Sequence, residues 1–221
     1  MPKLSAQNVL SNISYVLDRG SGTFVLIYAI WAALGMVDAS TSVGEEETWP
    51  ELLIELFSVA FVPFLWLAII HCAIGTYQGR SPGLGECLTV ARKAFPIGFG
   101  VVILGLFCSV ILIGFFLPLG FIGLATTAMT LVLIVAERPN WKKWFSRLYD
   151  LAVPHTARLL MGSFVWALGL FIVASLFDQF ISSAGASQTY LIALRNLVFF
   201  SIVLFSATGL YIELRNLEAE S

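Results

Sequence analysis

Hydrophobic positions fall into six long blocks along the chain, and in three of the segments between them they switch to the spacing of a one-faced helix. The blocks are 23–37, 52–77, 97–117, 119–136, 157–177 and 190–212. Roughly 20 apolar residues carry a helix across about 30 Å of hydrocarbon, so each block is read as a membrane span. Lipid offers no partner to backbone N–H and C=O groups, which makes helices the required conformation. The first block is short, and the second contains Pro63, which predicts a kink. Only Pro118 and its neighbours separate the third from the fourth, so these two form a tight hairpin.

The one-faced segments precede the odd-numbered spans. Before the first the apolar positions are Ala6, Val9, Leu10, Ile13 and Leu17; before the third, Leu84, Cys87, Leu88, Ala91 and Phe95; before the fifth, Trp141, Trp144, Phe145, Leu148 and Ala152. Each set is spaced i, i+3, i+4, i+7, i+11, a single stripe at about 100° per residue. Such helices are expected to lie flat in the membrane interface. Pro96 and Pro154 are placed at the turn from flat helix to span in the second and third. The expected fold is therefore an all-α polytopic membrane bundle of six transmembrane helices in three hairpins, each preceded by an amphipathic interfacial helix. It forms one domain over 1–221, with three repeats at 1–79, 80–138 and 139–217. The plainer alternative to duplication is that any short helix running into a membrane is amphipathic with basic ends.

Composition sharpens the class. The chain is 58% hydrophobic and 12% charged, with a mean hydropathy of +0.89, against roughly a quarter charged residues in ordinary globular domains. Almost every basic residue falls before the first span, between the second and third, between the fourth and fifth, or after the sixth. The positive-inside rule makes those segments cytoplasmic and puts both termini inside, in a cell inner (plasma) membrane. The segment with Glu45, Glu46 and Glu47 then belongs outside, as does the loop after Phe177. Arg195, near the outer end of the sixth span, is the exception; it is read as snorkelling or pairing with Asp178, with a substrate contact as the alternative. The first span lacks a following A-x-A site and is expected to remain as an anchor. Cys72, Cys87 and Cys108 are not placed for an extracellular disulfide and are expected to be reduced.

Candidate chemistry is sparse. No nucleophile elbow, phosphate loop, dinucleotide fingerprint, H-E-x-x-H or paired C-x-x-C occurs. Catalytic residues, cofactors and metals are therefore not expected. His71 is expected to be a neutral, hydrogen-bonded packing residue, the alternative being a proton or substrate group. Glu137, at the end of the fourth span, is expected to bridge to Lys142, Arg147 or Arg158. In the third flat helix Trp141 and Trp144 favour headgroup depth, while Lys142, Lys143 and Arg147 are expected to attract anionic lipid of the inner leaflet. The scattered span glycines mark close helix packing.

Leu117-Pro118-Leu119-Gly120, a fourth span ending at Glu137, the helix 144–151, and the run Leu210-Tyr211-Ile212-Glu213-Leu214-Arg215 with Glu218 beyond carry a family likeness. Over about residues 60–218 the chain resembles the membrane domain of glycerophosphoryl diester phosphodiesterases and related prokaryotic polytopic proteins. Relatives commonly have Pro-Gly where this chain has Pro118-Leu119, and their catalytic barrel has no counterpart here. The resemblance implies a membrane module with no catalytic residue to carry over. The expected function is a non-enzymatic scaffold or accessory protein with membrane lipids and a protein partner or second copy as partners, and no nucleic acid. A transporter or small-molecule carrier is the alternative, and an intramembrane enzyme comes third.

Overall fold

The computed structural model describes residues 6–41, 49–115, 117–137, 143–155 and 188–219, together with 159, 169, 172–173, 175–179 and 181. Among them the regular structure is entirely helical: α1 (Ala6–Arg19), α2 (Ser21–Thr41), α3 (Trp49–Tyr77), α4 (Leu84–Phe115), α5 (Leu117–Glu137), α6 (Trp144–Ala152) and α7 (Gln188–Ala219), with a single 3₁₀ turn at Val153–His155. Among the described residues three helices are long and apolar enough to cross a membrane, through Ala60–Tyr77 of α3, Leu84–Leu112 of α4 and Leu194–Ala219 of α7. Gly22–Met36 and Ile122–Glu137 are shorter apolar helices. The fifth block falls mostly outside the described residues, and with it the third hairpin.

The bundle is built around α3. Every residue from 65 to 76 is buried, because α3 packs on α1, α2, α4, α5 and α7. A helix apolar on all sides has no solvent face and is covered by protein or by lipid; here protein covers it. It ends in a Schellman cap, in which the Gly79 N–H bonds to the Thr76 carbonyl at 3.0 Å and the Arg80 N–H to the Gly75 carbonyl at 2.9 Å. Gly79 takes φ +74°, where a side chain would be strained.

Cross-links place the helix ends at one level. The Thr23 hydroxyl donates to the Pro82 carbonyl at 3.0 Å, tying the start of α2 to the α3–α4 turn. Asn216 Nδ2 donates to the Tyr77 hydroxyl at 3.0 Å, tying the end of α7 to that of α3. The starts of α2 and α4 and the ends of α3, α5 and α7 thus share one end of the bundle, called here the polar end, so α2 runs antiparallel to α3 and α4 to α5.

Two expectations about the flat helices change. Segment 84–95 and the third span form one helix of 32 residues that continues through Pro96 without ending there. Its stripe of Leu84, Cys87, Leu88, Ala91 and Phe95 packs on the core instead of lying on lipid. A proline inside a membrane helix removes one N–H bond without ending the helix when neighbours or water serve the freed carbonyl, and both Arg92 and Pro96 are exposed. α1 is a separate helix, as expected, but it rests on α7 and α3. Of the predicted stripe Ile13 packs on the core, while Leu10 and Leu17 are 57% and 47% exposed, so the stripe is split between the bundle and the outside; the buried Val16 lies off it. α6 stops at Ala152, and the 3₁₀ turn contains Pro154.

Small residues set the closest helix contact. On α4 the Ser109 hydroxyl donates to the Gly105 carbonyl at 2.7 Å, and on α5 the Thr127 hydroxyl donates to the Gly123 carbonyl at 2.8 Å. A Cβ on Gly105 would overlap Thr127, and one on Gly123 would stand 2.6 Å from Ser109 Oγ. The two small-xxx-small pairs therefore interlock. Gly100, Gly114 and Gly169 face open space and mark no such contact.

Candidate functional site

Polar side chains converge at the polar end, where three helices meet in an ion-pair lattice. Arg147 of α6 lies between two carboxylates. Its Nε donates to Glu137 Oε2 at 2.7 Å and its Nη2 to Glu137 Oε1 at 3.2 Å. Its Nη1 and Nη2 donate to Glu218 Oε1 and Oε2, both at 2.7 Å. The planar guanidinium fork matches a carboxylate edge and engages both oxygens of each. Arg215 closes the lattice, 3.6 Å from Glu137 Oε1 through Nε and bonded to Glu218 Oε2 at 2.5 Å through Nη1. The Tyr211 hydroxyl donates to Glu137 Oε1 at 3.0 Å. Hydrogen bonds donated to Glu218 and then to Glu137 hold the Arg147 guanidinium well above its ordinary range, so it stays charged.

A second polar chain runs from α3 to α4. His71, 7% exposed, has Nε2 at 3.2 Å from Glu86 Oε1; a carboxylate only accepts, so Nε2 carries the hydrogen. Arg80 Nη1 lies 3.8 Å from the same oxygen, and Arg80 Nη2 donates to Gln78 Oε1 at 2.7 Å. Glu86 sits in the first turn of α4, where the helix dipole favours a negative charge. His71 is six residues from the end of α3, so it belongs to the polar end and not to the middle of the bundle. Beside it the free thiols of Cys72 and Cys87 are buried. A third contact joins the first helix to the last, with Asn8 Nδ2 donating to Oε1 of the buried Glu213 at 2.8 Å.

The expected site residues distribute as follows. Glu137 pairs with Arg147, one of its three expected partners. Arg147 faces protein carboxylates instead of lipid phosphate, with four of its five N–H donors engaged by Glu137 and Glu218. Lys143 is exposed at the start of α6. Trp141 and Lys142 lie outside the described residues, as does the side chain of Trp144. Arg195 pairs with Asp178 and also donates to Asn196 Oδ1. Glu218, Arg215, Tyr211 and Glu86 complete these networks without having been expected there. Their pattern along the chain was visible, but their pairing depends on which helix ends meet.

A cavity of about 20 Å³ between α3, α4, α5 and α7 is lined by Trp66, Val102, Leu131, Phe200 and Leu204 among others. That is room for about one water, and its apolar walls leave it dry. Among the described residues no three His, Cys, Asp or Glu side chains come together to hold a metal ion. Among the described residues, fold and site give an all-helical bundle with three helices long and apolar enough to cross a membrane and two clusters of paired ionisable groups at its polar end. No family model, curated protein or solved structure compared with the chain matches it.

Proposed function

We propose that the chain is a non-enzymatic integral membrane scaffold or accessory protein of six spans in three hairpins, with both termini cytoplasmic in the cell membrane. The observation that carries this reading is Arg147, four of whose five N–H donors are taken by Glu137 and Glu218. A catalytic or transport group must leave a donor or acceptor free for substrate, whereas this lattice uses its capacity to join α5, α6 and α7. The residues behind the resemblance, Glu137, Tyr211, Arg215 and Glu218, are the same residues that build the lattice, which supports a module shared for architecture. Anionic lipid of the inner leaflet and a protein partner or second copy are the proposed contacts.

A carrier is the second reading, favoured by the titratable bridge of His71 and Glu86 at the α3–α4 junction. His71→Ala separates the two. Thermal unfolding of the variant in membrane is compared with its ability to complement a strain deleted for the gene. Full complementation is expected for the scaffold. A variant that folds stably and fails to complement overturns it in favour of the carrier.

A further inference from the structure

The outward face of α4 changes character at one level. Arg92 and Lys93 are exposed. From Ile97 onward the exposed large side chains are apolar, with Ile97 at 42%, Leu104 at 61% and Phe107 at 64%. Ile97 to Phe115 rises about 27 Å at 1.5 Å per residue, close to the hydrocarbon thickness of about 30 Å. Lys93 lies one turn further out, about 6 Å, within the headgroup layer that adds roughly 5–7 Å on each side. Most other described basic groups are engaged. Arg147 and Arg215 face Glu137 and Glu218, Arg195 faces Asp178, Arg80 faces Glu86, and Arg19 lies over the Tyr15 ring at 4.8 Å. Among the described residues neither Arg92 nor Lys93 has a carboxylate partner.

We propose that Arg92 and Lys93 bind the phosphate of an anionic phospholipid whose acyl chains lie along Ile97, Leu104 and Phe107. Charge complementarity selects the headgroup, and the continuous apolar face beneath it selects a lipid over a free phosphate ion. The proposal rests on the membrane placement of the proposed function, not on the scaffold role. It also moves the electrostatic grip from Arg147, which is neutralised, to the start of α4.

Native mass spectrometry of the full chain, titrated with phosphatidylglycerol and separately with phosphatidylcholine, tests it. The wild type is expected to prefer phosphatidylglycerol. Arg92→Gln and Lys93→Gln should each weaken that binding about fivefold, the equivalent of about 1 kcal/mol per basic residue near an anionic leaflet. Millimolar inorganic phosphate should not displace the lipid, and both variants should melt with the wild type because their side chains are exposed. Unchanged affinity in the double variant, equal affinity for the two lipids, displacement by phosphate, or a loss confined to Lys143→Gln would each overturn the assignment. Complementation is scored separately, so a failed scaffold role and a failed lipid site give different results.

Discussion

At Glu137 position and chemistry combine to make one carboxylate matter more than its neighbour. Glu137 and Arg147 retain 18% and 24% side-chain exposure, whereas Glu218 retains 41%. A hydrogen bond to a charged group is worth roughly 1.5–3 kcal/mol net, and removing one partner leaves the other poorly compensated. Solvent screening reduces the same interaction at Glu218 to about 1 kcal/mol or less. Glu137→Gln is therefore expected to lower stability by about 2 kcal/mol, and Glu218→Gln by less than half of that, read as thermal midpoints of the purified protein in one lipid mixture. Equal losses would mean that the lattice is wetter at Glu137 than its burial indicates. Half of this arrangement was legible in the sequence. Glu137 and Arg147 flank one short loop, so their pairing follows from proximity along the chain. Glu218, Arg215 and Tyr211 lie some 70 residues away, and nothing local announces that the end of α7 returns to the end of α5.

Among the elements, α4 carries the clearest lesson about periodicity. Cys87, Ala91, Ala94, Gly98, Val102, Gly105 and Ser109 follow one another at intervals of three or four, and each is buried or half-buried. The stripe keeps its register across Pro96, which is the sign that one helix, and not two at an angle, occupies the whole segment. An apolar stripe states that one face is covered; it does not state whether lipid or protein covers it. For that reason the stripe before the third span was legible as a helix and illegible as a core element, whereas α1 as a separate helix followed from the stripe of Ala6, Val9, Leu10, Ile13 and Leu17 ahead of the first span. The same stripe contains the closest contact with α5. Gly105→Val should force α4 and α5 apart at Thr127 and destabilise the protein by about 1–3 kcal/mol. Gly100→Val on the open side should change stability little. Comparing the two unfolding curves checks the interlock, since comparable losses would place the effect in helix propensity and not in packing.

For the whole molecule the membrane class, the all-helical fold and the antiparallel α4–α5 pair were legible, because hydropathy and span length are written locally. The enclosure of α3 was not, since a span facing lipid and a span facing protein have the same composition. Sidedness is open to direct measurement. In a chain with Cys108 replaced, and with the buried Cys72 and Cys87 shielded from reagent, single cysteines at Glu46 and Ser183 should react with an impermeant maleimide added outside intact cells. Cysteines at Arg80 and Lys143 should react only after lysis. Labelling of the Lys143 position from outside would invert the proposed orientation.

The contact between Asn8 and Glu213 spans 205 positions of the chain. Whichever route the ribosome and insertion machinery take, α1 is made first and its seat on α7 last. Until residues 209–218 have emerged, Ile13 lacks the surface at Gly209 that it packs on, Asn8 lacks its acceptor, and α6 lacks half of the clamp on Arg147. The contacts among α3, α4 and α5 need none of these residues, so a chain cut just before Glu213 is expected to build that core while leaving Asn8 without its acceptor and Arg147 without Glu218.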